Sequence, residues 1–142
     1  MFSEFTDLDT MLLITFILFA IGFLWHGPLF GKVWVKLSKI PATEIAKAKK
    51  KGFKGMWHLM ALNFIGTFIM LYVLSGLISL LQITSPIQGA ILGFWVWLGF
   101  FASTTILNST LWEGKSWKLY SFNSIYWLVN LKLAGFLIVI WN

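Results

Sequence analysis

The sequence contains no cysteine and no arginine, and it sets only five acidic side chains against eleven lysines in 142 residues. Without cysteine there is no disulfide framework, no thiolate metal site and no sulfur nucleophile. Without arginine there is no planar fork for bidentate capture of phosphate or carboxylate. The acids are Glu4, Asp7, Asp9, Glu44 and Glu113, so no apolar stretch carries paired carboxylates for acid–base work. A glycine-rich phosphate loop and a nucleophile–base pair are missing as well. Charged residues make up 11% of the chain, against roughly a quarter in soluble domains. These shortages leave enzymology little foothold, and no cofactor is expected.

Apolar residues are abundant, at 58% of the chain with a mean hydropathy of +0.82. A domain of this size buries only about two-thirds of its chain surface, so lipid is the expected solvent. Four apolar blocks, at about 8–26, 55–81, 90–112 and 117–141, approach the roughly twenty residues that span a hydrocarbon core. They predict one all-α domain over 1–142, a four-helix membrane bundle. Thr6, with Asp9 three residues on, fits a capping pattern at the start of the first helix. Gly27-Pro28 should end or kink that helix. Residues 82–89, with Pro86, read as a short turn, while Gly114 and Ser116 stop the third helix and cap the fourth. Gly66, Gly76, Gly93 and Gly99 are the glycines expected to permit close helix contacts.

The lysines set the orientation. Eight of the eleven fall between Lys32 and Lys54, and two more, Lys115 and Lys118, lie between helices three and four. The amino-terminal tail and the 82–89 turn have none. By the positive-inside rule both lysine-bearing loops are cytoplasmic, giving N-out/C-out. Trp25, Trp34, Trp57, Trp112 and Trp117 then sit at the inner interface, where indoles are comfortable. Within the 27–54 loop, Pro41 to Lys50 reads as a short amphipathic helix with Gly52 as its terminator. Lys47, Lys49, Lys50, Lys51 and Lys54 are expected on anionic lipid headgroups. A basic cluster placed between two membrane helices argues against nucleic acid as the partner.

Three stretches carry a family resemblance. Leu24-Trp25-His26-Gly27-Pro28-Leu29-Phe30-Gly31-Lys32-Val33-Trp34, the loop Ala46-Lys47-Ala48-Lys49-Lys50-Lys51-Gly52, and Thr104 to Gly114 with the following Lys115 to Leu119 and Tyr126 to Val129 resemble a bacterial membrane family catalogued as domain of unknown function 1761. His26-Gly27 and Lys132 depart from its pattern, which has Tyr-Ser and an apolar residue there. The resemblance implies a compact four-helix unit in a bacterial inner membrane, and the family's name assigns it no activity.

Polar residues inside the blocks fall in two levels. His26, His58 and Glu113 lie near the inner interface; such a set could hold Zn²⁺ or Fe²⁺, but no short-range ligand spacing links them, and no metal site is expected. Asn63, Asn108 and Asn123 lie one to two turns deeper, with Thr104 and Tyr126 close by. They are expected to be interhelical hydrogen-bonding glue or the floor of a polar vestibule. Thr104, Asn108 and Glu113 approximate one helical stripe and Asn123, Tyr126 and Asn130 another, so both could face a common interior. Lys132, the one charge inside a span, should face lipid or a subunit boundary. The leading expectation is a homo-oligomeric, non-enzymatic module, transporter-like, channel-like or partner-binding. The rival is an intramembrane enzyme or metal protein using His26, His58 and Glu113.

Overall fold

The computed structural model describes residues 7–141, leaving aside the side chain of Phe53. Four helical stretches are long and apolar enough to cross a membrane: Leu8–Leu29, Lys54–Leu80, Pro86–Trp112 and Trp117–Ile140. In chain order these are the first to fourth spans. Residues 25–58 and 112–118 mark one end of the bundle, the lysine-loop end, and residues 81–85 mark the turn end.

Each boundary has a local cause. Thr6 lies outside the described residues; within them the cap is Asp7, whose carboxylate accepts from the Thr10 N–H at 3.3 Å and the Thr10 hydroxyl at 2.8 Å. Both bonds, the hydroxyl's first, hold the Asp7 carboxyl below its ordinary pKa. Gly27-Pro28 kinks the first span instead of ending it. Trp25–Leu29 is wound as a π turn, Gly27 leaves helical geometry (φ −117°, ψ −105°), and the Phe30 N–H reaches back to the Trp25 carbonyl. A short helix, Gly31–Ser38, follows inside what reads as loop. It stops at Lys39, in the left-handed region at φ 54°, two residues before Pro41. No glycine marks that stop, which hides the helix from sequence inspection. The next helix runs Ala42–Leu80 and is broken at Gly52, whose φ of 58° and ψ of −151° turn the lysine-rich segment away from the second span.

The third span begins at Pro86, four residues before the Ala90 expected, because proline is well suited to a helix's first turn and Ser85 takes the cap position. Its middle, Trp97–Thr105, is π-wound. Gly114, at φ 69°, turns the chain, and the Ser116 hydroxyl accepts from the Leu119 N–H at 3.1 Å to start the fourth span.

The fourth span is the most buried and packs against each of the others. Near the turn end, Met11, Ile14, Leu18, Leu71, Leu74, Ile78, Ala134 and Ile138 form the apolar core. The third and fourth spans touch backbone to backbone. A Cβ at Gly89 would strike the Gly135 carbonyl, one at Gly135 the Gly89 carbonyl, and one at Gly93 the Leu131 carbonyl. Gly89 and Gly135 therefore join Gly93 as the packing glycines. Gly66 and Gly99, expected to serve this way, have nothing within 4 Å of where a Cβ would be. Toward the lysine-loop end the second span loosens, and Trp57, His58, Leu59, Leu62, Asn63 and Ile65 are all exposed.

Candidate functional site

Two groups of side chains give the lysine-loop end its chemistry. The first is an aromatic collar where the π turn of the first span meets the fourth. The Trp25 ring lies edge-on to Phe30 at 4.7 Å and tilted to Phe122 and Tyr126, both at 5.8 Å. His26 meets Tyr126 edge-on at 4.7 Å and Trp34, from the short helix, at 5.2 Å. The His26 Nδ1–H donates to the Gly22 carbonyl at 3.0 Å, since a carbonyl can only accept. Tyr126 fits because Gly22 is bare; a Cβ there would meet its hydroxyl at 2.5 Å. The collar is a packing structure. Its one loose end is the buried Trp25 N–H, which has no partner among the described residues.

The second group is a cleft of about 260 Å³ between the last two spans. Small-molecule pockets usually hold roughly 300–1,000 Å³, so this one suits a compact group. Thr105, Ser109 and Thr110 line it from the third span, Tyr120, Asn123 and Trp127 from the fourth, and Lys115 from the connection. Two hydrogen bonds between the spans brace its upper wall. The Trp97 indole donates to the Ser124 carbonyl at 2.8 Å, and the Tyr120 hydroxyl donates to the Ala102 carbonyl at 2.9 Å. Both tie the π-wound segment to its neighbour. At the rim the Glu113 carboxylate accepts from the Ser109 hydroxyl at 2.9 Å and lies 3.3 Å from the Lys115 ammonium.

The π winding decides which residues reach the cleft. On an unbroken α-helix at about 100° per residue, Thr104 would lie about 20° from Gly93 around the axis, and Thr105 about 120°. Nine π-wound residues turn less per residue, which swings Thr105 and Ser109 toward the fourth span and Thr104 and Asn108 away. Thr104 and Asn108 accordingly do not line the cleft, and both are exposed. Asn63 is exposed on the second span. Of the three asparagines only Asn123 is in the cleft, and Tyr126 belongs to the collar. Asn130, which the expected layer omitted, is buried and donates to the Tyr126 carbonyl at 2.7 Å.

His26, His58 and Glu113 are likewise kept apart. His26 is in the collar, His58 is exposed with its ring near Trp57, and Glu113 is at the cleft rim. Among the described residues no three His, Asp or Glu side chains are placed to hold a metal ion. The residues that sequence reasoning missed, Thr105 with Ser109 and Tyr120 with Trp127, do carry a signal. Spacings of four and seven put each pair on one helical face, on the two arms of a tight hairpin.

Two expectations follow from this geometry. Tyr120→Phe removes one inter-span bond and leaves the Ala102 carbonyl short of a partner. It should destabilise the protein by about 1 kcal/mol, within the range for such bonds in membranes, and speed amide hydrogen exchange around residues 102–106. Glu113 is held below the usual carboxylate range, chiefly by the Ser109 hydroxyl and then by Lys115. A lowered carboxyl pKa gives a contribution that is present above the ordinary value and lost as pH falls through the lowered one. The rim contacts should therefore open only in acid, and Ser109→Ala should move the Glu113 midpoint upward in a carboxyl NMR titration.

Four apolar spans around an apolar core are the make-up of a multi-pass membrane protein. Over residues 10–139 the chain matches a family described as "Protein of unknown function (DUF1761)", and it belongs to that family. No curated protein and no solved structure matches it.

Proposed function

We propose that the protein is a non-enzymatic binding module of a bacterial cytoplasmic membrane, with both termini outside and the cleft between its last two spans open to the cytoplasm. The supporting observation is the cleft itself. In a chain so poor in polar side chains, five of them and a lysine converge on one concave surface at the lysine-loop end. The lysine-rich helix ahead of Gly52 lies on anionic headgroups in this reading, where each lysine contributes about 1 kcal/mol. Its lysines 47, 49, 50 and 51 are all exposed.

The module works as a homo-oligomer. Asn63 and Asn108 are exposed within the spans of one subunit, and an amide facing hydrocarbon without a partner costs several kcal/mol. A neighbouring subunit offers partners that lipid tails do not. Native mass spectrometry of protein extracted from its own membrane tests the binding reading. The wild-type chain should carry a bound adduct of defined mass, and Asn123→Trp, which fills the cleft, should lose it at an unchanged unfolding temperature. Identical adducts in the two proteins would sink the proposal.

A further inference from the structure

The direction of the hydrogen bonds around the cleft specifies the kind of ligand it can take. Each hydroxyl that lines it already donates its one proton to a group that can only accept. Thr105 donates to the Phe100 carbonyl at 3.0 Å, Thr110 to the Ile106 carbonyl at 3.0 Å, Tyr120 to the Ala102 carbonyl at 2.9 Å and Ser109 to the Glu113 carboxylate at 2.9 Å. What these oxygens still present is lone pairs. The cleft is therefore rich in acceptors, the Asn123 carbonyl oxygen among them, and its described side chains leave to a ligand only the donors of the Asn123 NH2 group, the Trp127 indole and the Lys115 ammonium. An anion or a carbonyl compound would find acceptors facing acceptors over most of this wall, whereas a group with several N–H donors is complementary to it. The wall also includes the rings of Tyr120 and Trp127, whose faces attract a cation.

Lys115 adds the second half of the recognition. Its ammonium has three N–H donors, and a single carboxylate, that of Glu113, shares them at 3.3 Å. It stands at the cleft's mouth with donors to spare for an anionic group. Trp112 and Trp117, on either side of Lys115 in the chain, are both exposed at the ends of their spans, and indoles in that position mark the headgroup level of a bilayer.

We infer that the cleft binds a primary ammonium joined through a short linker to a phosphate, the ammonium on the acceptor-rich wall and the phosphate at Lys115. This is the chemistry of an ethanolamine phospholipid headgroup and of free phosphoethanolamine. The inference rests on the reading of the cleft as a binding site and adds the ligand class to it.

Choline is the decisive probe, because it keeps the positive charge and the phosphate but has no N–H. A charge-assisted hydrogen bond contributes about 1.5–3 kcal/mol, so losing the donors should cost at least about tenfold in affinity. The protein is placed in nanodiscs of phosphatidylcholine doped with phosphatidylethanolamine or phosphatidylglycerol, and the lipids it retains are counted by native mass spectrometry. In parallel, phosphoethanolamine and phosphocholine are titrated against the unfolding temperature in detergent. The expected result is ethanolamine over choline by tenfold or more, abolished in Asn123→Leu, while Lys115→Gln weakens both headgroups alike. Retention of the lipid without an effect of the free compound identifies the lipid as the source, and the reverse identifies the soluble one. Equal binding of choline and ethanolamine, or preference for phosphatidylglycerol, with Asn123→Leu still reducing it, overturns the ligand class and leaves the cleft a binding site. No retention in any arm, with Asn123→Leu the same as wild type, overturns both.

Discussion

Gly135→Leu should cost the protein most of its stability by forcing its last two spans apart. Gly89 and Gly135 bring their backbones into direct contact, and a Cβ on either would lie inside the other's carbonyl group. A side chain introduced into an ordinary core displaces other side chains and costs typically about 1–3 kcal/mol. Here the obstacle is helix backbone, which yields only if the helices separate. Separation would also break the Trp97–Ser124 and Tyr120–Ala102 bonds and open the cleft between the same helices. Even Gly135→Ala should fall in the 1–3 kcal/mol range, and leucine well beyond it, read as the midpoint of unfolding in denaturing detergent. Gly66→Ala and Gly99→Ala are the internal controls. Nothing lies near either position, and alanine is the better helix former by about 1 kcal/mol, so both should be neutral or slightly stabilising. A Gly135→Leu protein as stable as wild type would show that the two spans do not meet as described.

That contrast between glycines shows what sequence alone can and cannot reveal. The four spans were legible because length and unbroken hydrophobicity are properties of a run, visible without knowing any neighbour. The Ser116 cap and the Gly114 and Gly52 breaks were legible for a similar reason: capping and left-handed turns are local chemistry. Which glycine touches another helix is a fact about two helices. Gly66, Gly93 and Gly99 look alike in sequence, yet only Gly93 of the three meets a backbone. Gly89 was lost for a different reason, because Pro86 reads as part of a turn when it in fact opens the helix.

The cleft was half legible. Asn123 stands out as an amide in an apolar run, but its partners on the third span were assigned by counting an unbroken α-helical repeat. The π segment at Trp97–Thr105 shifts that count, so Thr105 and Ser109 occupy the face that Thr104 and Asn108 were expected to share. Nothing in the residues 97–105 announces the change of winding. It is held by bonds from Trp97 and to Ala102 that only the packed pair of helices can make. The grouping of His26, His58 and Glu113 failed for a related reason. Equal depth along three helices says nothing of rotation about them, and the three side chains point to three different surroundings.

Orientation yields the other large effect, because labelling from one side of a membrane is close to all-or-none. The chain has no cysteine of its own, so a single introduced thiol reports its position without background. Ser85→Cys, in the turn between the second and third spans, should react with a membrane-impermeant maleimide applied to intact cells. Thr43→Cys, at the start of the lysine-rich helix, should react only after the membrane is opened. The expectation rests on charge. Seven lysines lie between the first two spans and Lys54 opens the second, Lys115 joins the last two and Lys118 is in the first turn of the fourth, and the 82–89 turn has none. Lysines in short loops and at the ends of spans are the ones that count for orientation. Both loops agree, so no span is asked to insert against its own flanking charge. The prediction also withstands partial neutralisation. Replacing Lys47, Lys49, Lys50, Lys51 and Lys54 by glutamine removes about 5 kcal/mol of attraction to an anionic leaflet, at about 1 kcal/mol per lysine. It leaves Lys32, Lys36, Lys39, Lys115 and Lys118 on the same side. That variant should keep its labelling pattern while releasing the 42–51 helix from the surface, read as loss of protection of those residues by anionic vesicles. External labelling at Thr43 in the unaltered background would invert the topology and put the cleft at the outer face.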